Sequence, residues 1–482
     1  MSVRLAAVLA AALTLTACAS TESGSSTVGD AGPSAESAST LGDAGAVSEA
    51  PSPGAPGSGL AARGRRADAA PALGSALSAR DAESAPAAGG EAPRQPRPAG
   101  LLTAGDIDDN LNWEAFTRYR LRAQRGQSRA LPPLALDDRV VLRVVDGVGQ
   151  PVASARVTVE AQGGDRARRL TTEAGTDGRL ALFPAYDFGP GVRALRIRAQ
   201  APDGGAPVTL TVDRITGDRQ VRVQLSDAVG DRPHALDLAV VIDVTGSMGD
   251  ELAYLTAEFE SIVARVERRY RDTDLRFALV AYRDTGDDFV VRSFPFVRSA
   301  RQMQQQLAGL RAQGGGDYPE AMDAAMQSAV DLDWRTGQVA RVAFLVADAP
   351  PHAHGVTSFL DAVRQARAEG VRVYPLAASG VGDEAEYLMR HAALLTQARH
   401  LFLTDDSGIG NRHQEPKIPC YAVTALDGLL TRVIASELEG RRVEPAREEI
   451  VREVGDYDAG VCEAGLVAVR DPQQRRSGLG YD

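Results

Sequence analysis

Lysine is almost absent from this chain. Lys417 is the only one among 53 basic residues in a sequence of 482. That excludes a Walker-type nucleotide site, which needs a lysine on the phosphates, and any chemistry built on a catalytic lysine. Cysteine is nearly as scarce, with three residues, so a dense disulfide scaffold is excluded. Aromatic residues make up 5% of the chain, and none lies between positions 19 and 100. Positive charge is in deficit: 53 basic against 64 acidic residues leaves a net charge of −11. With no basic tract either, nucleic acid is not an expected partner. The apolar run at 5–17 is too short to span a bilayer as a mature helix.

What is present at the amino terminus is a short charged stretch, Met1 to Arg4, and then that 13-residue run. This is signal-peptide length. Its end, Leu15-Thr16-Ala17-Cys18, resembles the bacterial lipobox. The resemblance implies a lipoprotein signal over 1–18 and Cys18 as the lipidated first residue of an exported protein. The alternative is an ordinary secretory peptide cut near Ala17 or Ala19, or an uncleaved anchor. Ala19 is not the aspartate of an inner-membrane retention signal, so the expected place is the cell envelope, at the outer membrane. The remaining pair, Cys420 and Cys462, is expected to form a disulfide in an oxidising compartment, two unpaired buried thiols being the other reading.

Residues 19–100 are Ala, Gly, Ser and Pro with scattered charges, and read as a disordered tether. A short helical segment falls within 101–130, with Trp113, Phe116 and Tyr119 at helical spacing. Within 134–227, six short runs rich in β-branched residues are separated by turn signals such as Asp146-Gly147 and Asp177-Gly178. They predict an antiparallel β-sandwich. The stretch from Val145-Asp146-Gly147 to Thr176-Asp177-Gly178 resembles carboxypeptidase regulatory-like modules, which implies a spacer. Over 234–440, apolar strands alternate with helical patterns, the pattern of an α/β doubly wound parallel sheet. Residues 421–438 read as its last helix. The extension 441–482 is charged, with the Cys420–Cys462 bond as its expected anchor.

The densest chemistry follows the run 236–242. A short β-rich apolar run reads as a strand buried on both faces, and Asp243-Val244-Thr245-Gly246-Ser247-Met248 is the loop at its carboxyl end. One carboxylate and two hydroxyls at alternating positions suit a hard divalent cation. Ser247 as a plain helix N-cap is the simpler alternative. The pattern resembles the metal-ion-dependent adhesion site of von Willebrand factor A (VWA) domains. That family draws on three loops, and this chain offers a second in Gly314-Gly315-Gly316-Asp317-Tyr318-Pro319-Glu320 and a third at Asp348, past another apolar strand. The resemblance covers about 170 residues. It implies Asp243, Thr245, Ser247, Glu320 and Asp348 as ligands of Mg2+ or Mn2+.

The second loop departs from the commoner family pattern, which has threonine there. Its D-x-P-E resembles the integrin β-subunit version, implying Glu320 at the metal and Asp317 serving a neighbouring cation. A capping box of Asp317 and Glu320 at a helix start competes with that reading. Asp250-Glu251 resembles the acidic pair that helps form an adjacent Ca2+ site, although acids at a helix N-terminus are favoured in any case. Asp284 could line the same edge. Together these give a second cation site as an expectation.

A metal held partly by hydroxyls leaves a position for an acidic side chain of a protein partner, so the expected function is non-catalytic adhesion. A domain whose metal only braces the fold is the alternative. An enzyme is less well supported: position 245 is threonine where a haloacid dehalogenase-type phosphatase or a serine hydrolase needs another residue. A metal-assisted hydrolase would have to use His352 or His354, which read more simply as the rim of a polar loop.

Overall fold

The computed structural model describes residues 102–126, 131–164, 169–407, 415–416 and 418–462. The expected signal peptide with Cys18, the 19–100 tether and residues 463–482 lie outside them. All described residues belong to one unit, Glu91–Asp482.

The first described element is a strand, β1 (Thr103–Ile107), buried along its whole length. Helix α1 (Trp113–Gly126) follows, its start held by Asp108, whose side chain accepts from the Asn110 and Leu111 N–H groups. Its aromatic stripe packs inward, Phe116 lying 5.1 Å from the His391 ring and Tyr119 6.5 Å from Tyr387. Strands β2 (Arg139–Asp146), β3 (Arg156–Gln162), β4 (Arg169–Glu173) and β5 (Arg179–Leu182) come next. A short helix α2 (Pro184–Phe188) leads to β6 (Ala194–Ala201), β7 (Gly204–Asp213) and β8 (Asp218–Leu225). They form a three-stranded sheet, β5-β2-β8, and a four-stranded sheet, β4-β3-β6-β7, around an apolar core of their own. The pair β2–β8 is parallel and the other pairs antiparallel.

The α/β region begins with β9 (Ala235–Asp243), a 3-10 turn at Gly246–Met248 and α3 (Gly249–Arg269). Then come β10 (Asp274–Tyr282), β11 (Val291–Val297), α4 (Ala300–Ala308), α5 (Met322–Val330), β12 (Val339–Ala347) and α6 (Val356–Ala368). The chain continues through β13 (Val371–Ala377), α7 (Asp383–Leu395), β14 (His400–Thr404), β15 (Tyr421–Ala425), α8 (Leu426–Glu439) and β16 (Ile450–Val454). It ends in a small hairpin, β17 (Tyr457–Asp458) and β18 (Val461–Cys462). One nine-stranded sheet runs β11-β10-β9-β12-β13-β14-β1-β15-β16. Its inner strands are mostly apolar and almost wholly buried, β12 without a single exposed residue, because helices cover both faces.

Three expectations need correction. The sheet is mixed: β11, β1 and β16 run antiparallel to their neighbours. Residues 421–438 are not one helix, since Tyr421–Ala425 pair with β1 and β16 before the helix starts at Leu426. The disulfide Cys420–Cys462 forms, but it is not the only anchor of the C-terminal segment. Arg442 pairs with Asp106 on β1 at 2.9 Å, and Asn112 bonds both Gly460 O and Cys462 N.

The β-rich region is fastened to the α/β region away from the carboxyl ends of the parallel strands. Arg341, Arg367 and Arg372, at or before the starts of β12 and β13, pair with Glu173, Asp187 and Asp177. Thr176 adds a hydrogen bond to Glu437 on α8 at 2.7 Å.

Candidate metal site

Strand β9 is flanked by β10 on one side and β12 on the other, and the chain visits them in opposite directions. The carboxyl edge between β9 and β12 is therefore the point where the strand order reverses, and a crevice opens there. Asp243 ends β9, Asp348 follows β12, and Asp284 follows β10. Glu320 reaches the same edge by a different device. Its N–H donates to Pro350 O at 3.0 Å, and it forms an isolated parallel bridge with Pro351. The capping box at 317–320 does not form: α5 begins at Met322, and Asp317 is exposed in the preceding loop. Ser247 does not act as a side-chain cap of α3 either.

The first loop is wired from the inside out. Asp243 is fully buried and accepts from both the Thr245 N–H at 2.8 Å and the Thr245 hydroxyl at 2.7 Å. The Thr245 and Ser247 hydroxyls are 3.4 Å apart, and Ser247 is exposed. The glycine loop closes against this set. Gly314 accepts from Gly246 N–H at 3.2 Å, and Gly315 sits in the left-handed region with φ +74°. A Cβ at Gly315 would lie 2.8 Å from Glu320 Oε1 and 3.3 Å from Thr245 Cβ, so only glycine lets Glu320 approach Thr245.

These groups crowd negative charge. Burial pushes the Asp243 carboxyl up to about 7, and the Asp348 charge adds to the rise. Burial pushes Glu320 up to about 9, followed by the charges of Asp243, Asp284, Asp348 and Asp287. Asp348 is raised too, by burial against a hydrogen bond from Ser247. The Tyr282 phenol is driven well above its usual range by burial and then by Asp243, Asp348 and Glu320. No cationic side chain is among the main influences on Asp243 or Glu320. Glu320 Oε2 is a buried oxygen without a hydrogen-bond partner, and beside the buried Asp243 Oδ2 only the Tyr282 hydroxyl stands near among the described residues. Buried carboxylates normally have hydrogen-bond partners. Uncompensated carboxylates beside two hydroxyls make an all-oxygen donor set that fits a hard divalent cation. Among the described residues, no three His, Cys, Asp or Glu side chains form a cation cage by themselves.

The outlying acids behave differently. Asp250 is exposed in the first turn of α3. Glu251 turns inward and accepts from both Ser379 N–H at 3.0 Å and Ser379 Oγ at 2.6 Å, tying α3 to the loop after β13. Asp284 pairs with His352 Nε2 at 2.7 Å, and His352 stacks on His354. Asp287 accepts from Gly315 N–H and Asp284 N–H. Sequence reasoning passed over Tyr282, Tyr318 and Ser379. Tyr318 stands at the rim, 45% exposed, its hydroxyl donating to Asp348 O and accepting from Gly382 N–H. Only its place between Asp317 and Pro319 could have drawn attention to it.

Residues 237–397 match the family model described as the von Willebrand factor A domain. The chain contains a VWA domain. The match spans β9 to the end of α7 and includes all five expected ligand residues. An ariadne-like RING finger protein of Acanthamoeba polyphaga mimivirus is 33% identical over 122 residues, 25% of this chain and 12% of that protein. Alpha-protein kinase vwkA of Dictyostelium discoideum is 26% identical over 164 residues, 33% of this chain and 25% of that protein. The chain therefore spans a quarter or less of the length of these relatives. Among solved structures, proximal thread matrix protein 1 of the mussel byssus is similar at 15% identity. That likeness covers 36% of this chain and 48% of the other with a TM-score of 0.24, too low to carry an argument.

Proposed function

We propose that the VWA domain binds Mg2+ or Mn2+ through Asp243, Thr245, Ser247, Glu320 and Asp348, and with it an acidic side chain of a protein partner. The observation that carries this reading is the buried carboxylate pair Asp243 and Glu320, crowded by other carboxylates with no cationic side chain beside them and with Glu320 Oε2 unpartnered. A bound cation would supply the positive charge this cluster lacks and an acceptor position for a partner carboxylate. The chain's own residues prepare the site. Thr245 orients Asp243, Gly315 gives Glu320 room, and the backbone bond to Pro350 holds the Glu320 loop at the edge.

Ser247 and Tyr318 are exposed at the mouth, which favours docking over an ion that only braces the interior. His352 is engaged by Asp284 and is assigned no catalytic role. Our reading of the rest of the chain is an exported lipoprotein anchored through Cys18 at the outer membrane. The tether over 19–100 and the β-rich region, a carboxypeptidase regulatory-like spacer, carry the VWA domain away from the membrane.

Calorimetry with MgCl2 tests the cation. Wild type should bind one ion saturably, and Asp243→Ala with Asp348→Ala should abolish the heat. Equal binding by both proteins would overturn the assignment. Partner capture should then be lost in EDTA and restored by magnesium, and Glu320→Gln should weaken it.

A further inference from the structure

Three arginines stand side by side across the three-stranded sheet. Arg143 on β2 is in register with Arg179 on β5 and with Arg222 on β8, so all three side chains leave the same face. Neighbouring strands are only about 4.8 Å apart, and like charges directly opposite one another destabilise a sheet. The acids nearby are already engaged. Asp218 holds Arg139 through two bonds of 2.8 and 2.7 Å, and Asp177 holds Arg372 at 2.5 Å. Among the described residues, none of the three arginines has an ion-pair partner.

Arg143 and Arg179 line a cavity of about 350 Å³ between this sheet, the end of α8 and the C-terminal segment. Arg372, Arg399, Arg441 and Arg442 line it as well, each in an ion pair: Arg372 with Asp177, Arg399 and Arg442 with Asp106, and Arg441 with Glu439. Arg442 uses Nη2 on Asp106 and Tyr457, yet its Nη1 is buried without any hydrogen-bond partner. Of the acids in the wall, Glu437 is held by Arg372 and Tyr374, and Asp108 caps the Asn110 and Leu111 N–H groups. The cavity thus presents two guanidinium groups, Arg143 and Arg179, with no ion-pair partner among the described residues. Guanidinium forks match planar or tetrahedral oxyanions, and small-molecule sites favour junctions between packed regions.

We propose that this cavity binds a small ligand carrying at least two phosphate or carboxylate groups. Arg143 and Arg179 would receive those groups, and Arg222 would extend the row beyond the cavity. The site is independent of the carboxylate cluster at the edge of the VWA sheet.

The test is calorimetric titration of the full chain with inorganic pyrophosphate and, separately, with citrate. EDTA is present throughout, so that no divalent cation links the ligand to Asp243 or Glu320, and chloride of matched ionic strength is the control. Saturable binding of either ion is expected, about tenfold or more weaker in Arg143→Gln with Arg179→Gln, as loss of charged hydrogen bonds implies. Tighter binding of pyrophosphate would point to a phosphorylated ligand, tighter binding of citrate to a polycarboxylate. Without any anion, the double variant should melt no lower than wild type, because it removes opposed like charges. A wild type that binds neither ion, or a double variant that binds both equally well, overturns the proposal.

Discussion

Asp243 and Glu320 are carboxylates whose ionisation the fold resists, and this sets a pH signature. Both have folded pKa values raised above the unfolded ones, so each binds its proton more tightly when folded. Stability in EDTA should therefore fall as pH rises, from the usual carboxylate range through about 7 for Asp243 and on toward about 9 for Glu320. Magnesium competes with those protons, so its stabilising effect should grow over the same interval. Melting temperatures in EDTA and in magnesium, measured from pH 5 to pH 9, should diverge as pH rises. Parallel curves would contradict the shared site. Glu320→Gln removes one of the repelling charges and should flatten the EDTA curve at high pH.

At the scale of the element, β1 is the piece that sequence reasoning missed. Its five residues, Thr-Ala-Gly-Asp-Ile, set one large apolar side chain beside four small or polar ones and lack the continuous apolar run that marks β9 or β12. They become a strand only because β14 and β15 leave a gap in the sheet that they fill. Gly105 shows how closely it fits: a Cβ there would lie 2.7 Å from Phe402 Cζ and 3.1 Å from Tyr421 Cδ2. Gly105→Ala should cost about 1–3 kcal/mol in denaturant unfolding, the usual penalty of overpacking. Strand β15 was hidden for another reason, since its apolar residues run straight into those of α8 and mimic one helical stripe. By contrast, β9, β10, β12 and β13 were legible because burial on both faces demands continuous apolar runs. The candidate site was legible in its first and third loops, where each aspartate directly follows such a strand. In the second loop Glu320 was named only from the resemblance of its D-x-P-E pattern, and its placement at the edge rests on a bridge to Pro351, 31 positions away.

Across the whole molecule, the VWA domain and the β-rich region share buried ion pairs. Arg367 and Asp187 are 5% and 3% exposed. Asp187→Ala would leave a buried guanidinium short of its partner, a change that costs about 3 kcal/mol or more. One unfolding transition should become two if that junction is what couples the regions, which calorimetric scanning can read. A fragment over 234–440 lacks β1 and β16 and should fail to give the sharp melt of 102–462. Breaking the disulfide with Cys420→Ser and Cys462→Ser should cost about 4 kcal/mol on loop-closure grounds for a separation of 42 residues. The pairing of β15 with β16 and the Arg442–Asp106 bridge remain to hold the segment in place.

The position of β1 also has a mechanical meaning. Any pull on the chain upstream of Thr103 arrives inside the large sheet rather than at its rim, because β1 lies between β14 and β15. Its five-residue ladder with β14 and its pairing with β15 then resist along two lines at once. Thr103 pairs with Thr404, so residue 102 leaves the sheet at the same carboxyl edge as Asp243, and a tension between it and a ligand held there would have to draw β1 out from between two neighbours. Resistance to that is governed by the unfolding rate rather than by equilibrium stability. Single-molecule stretching from the N-terminal side should meet its first force peak there, and Gly105→Ala should lower it.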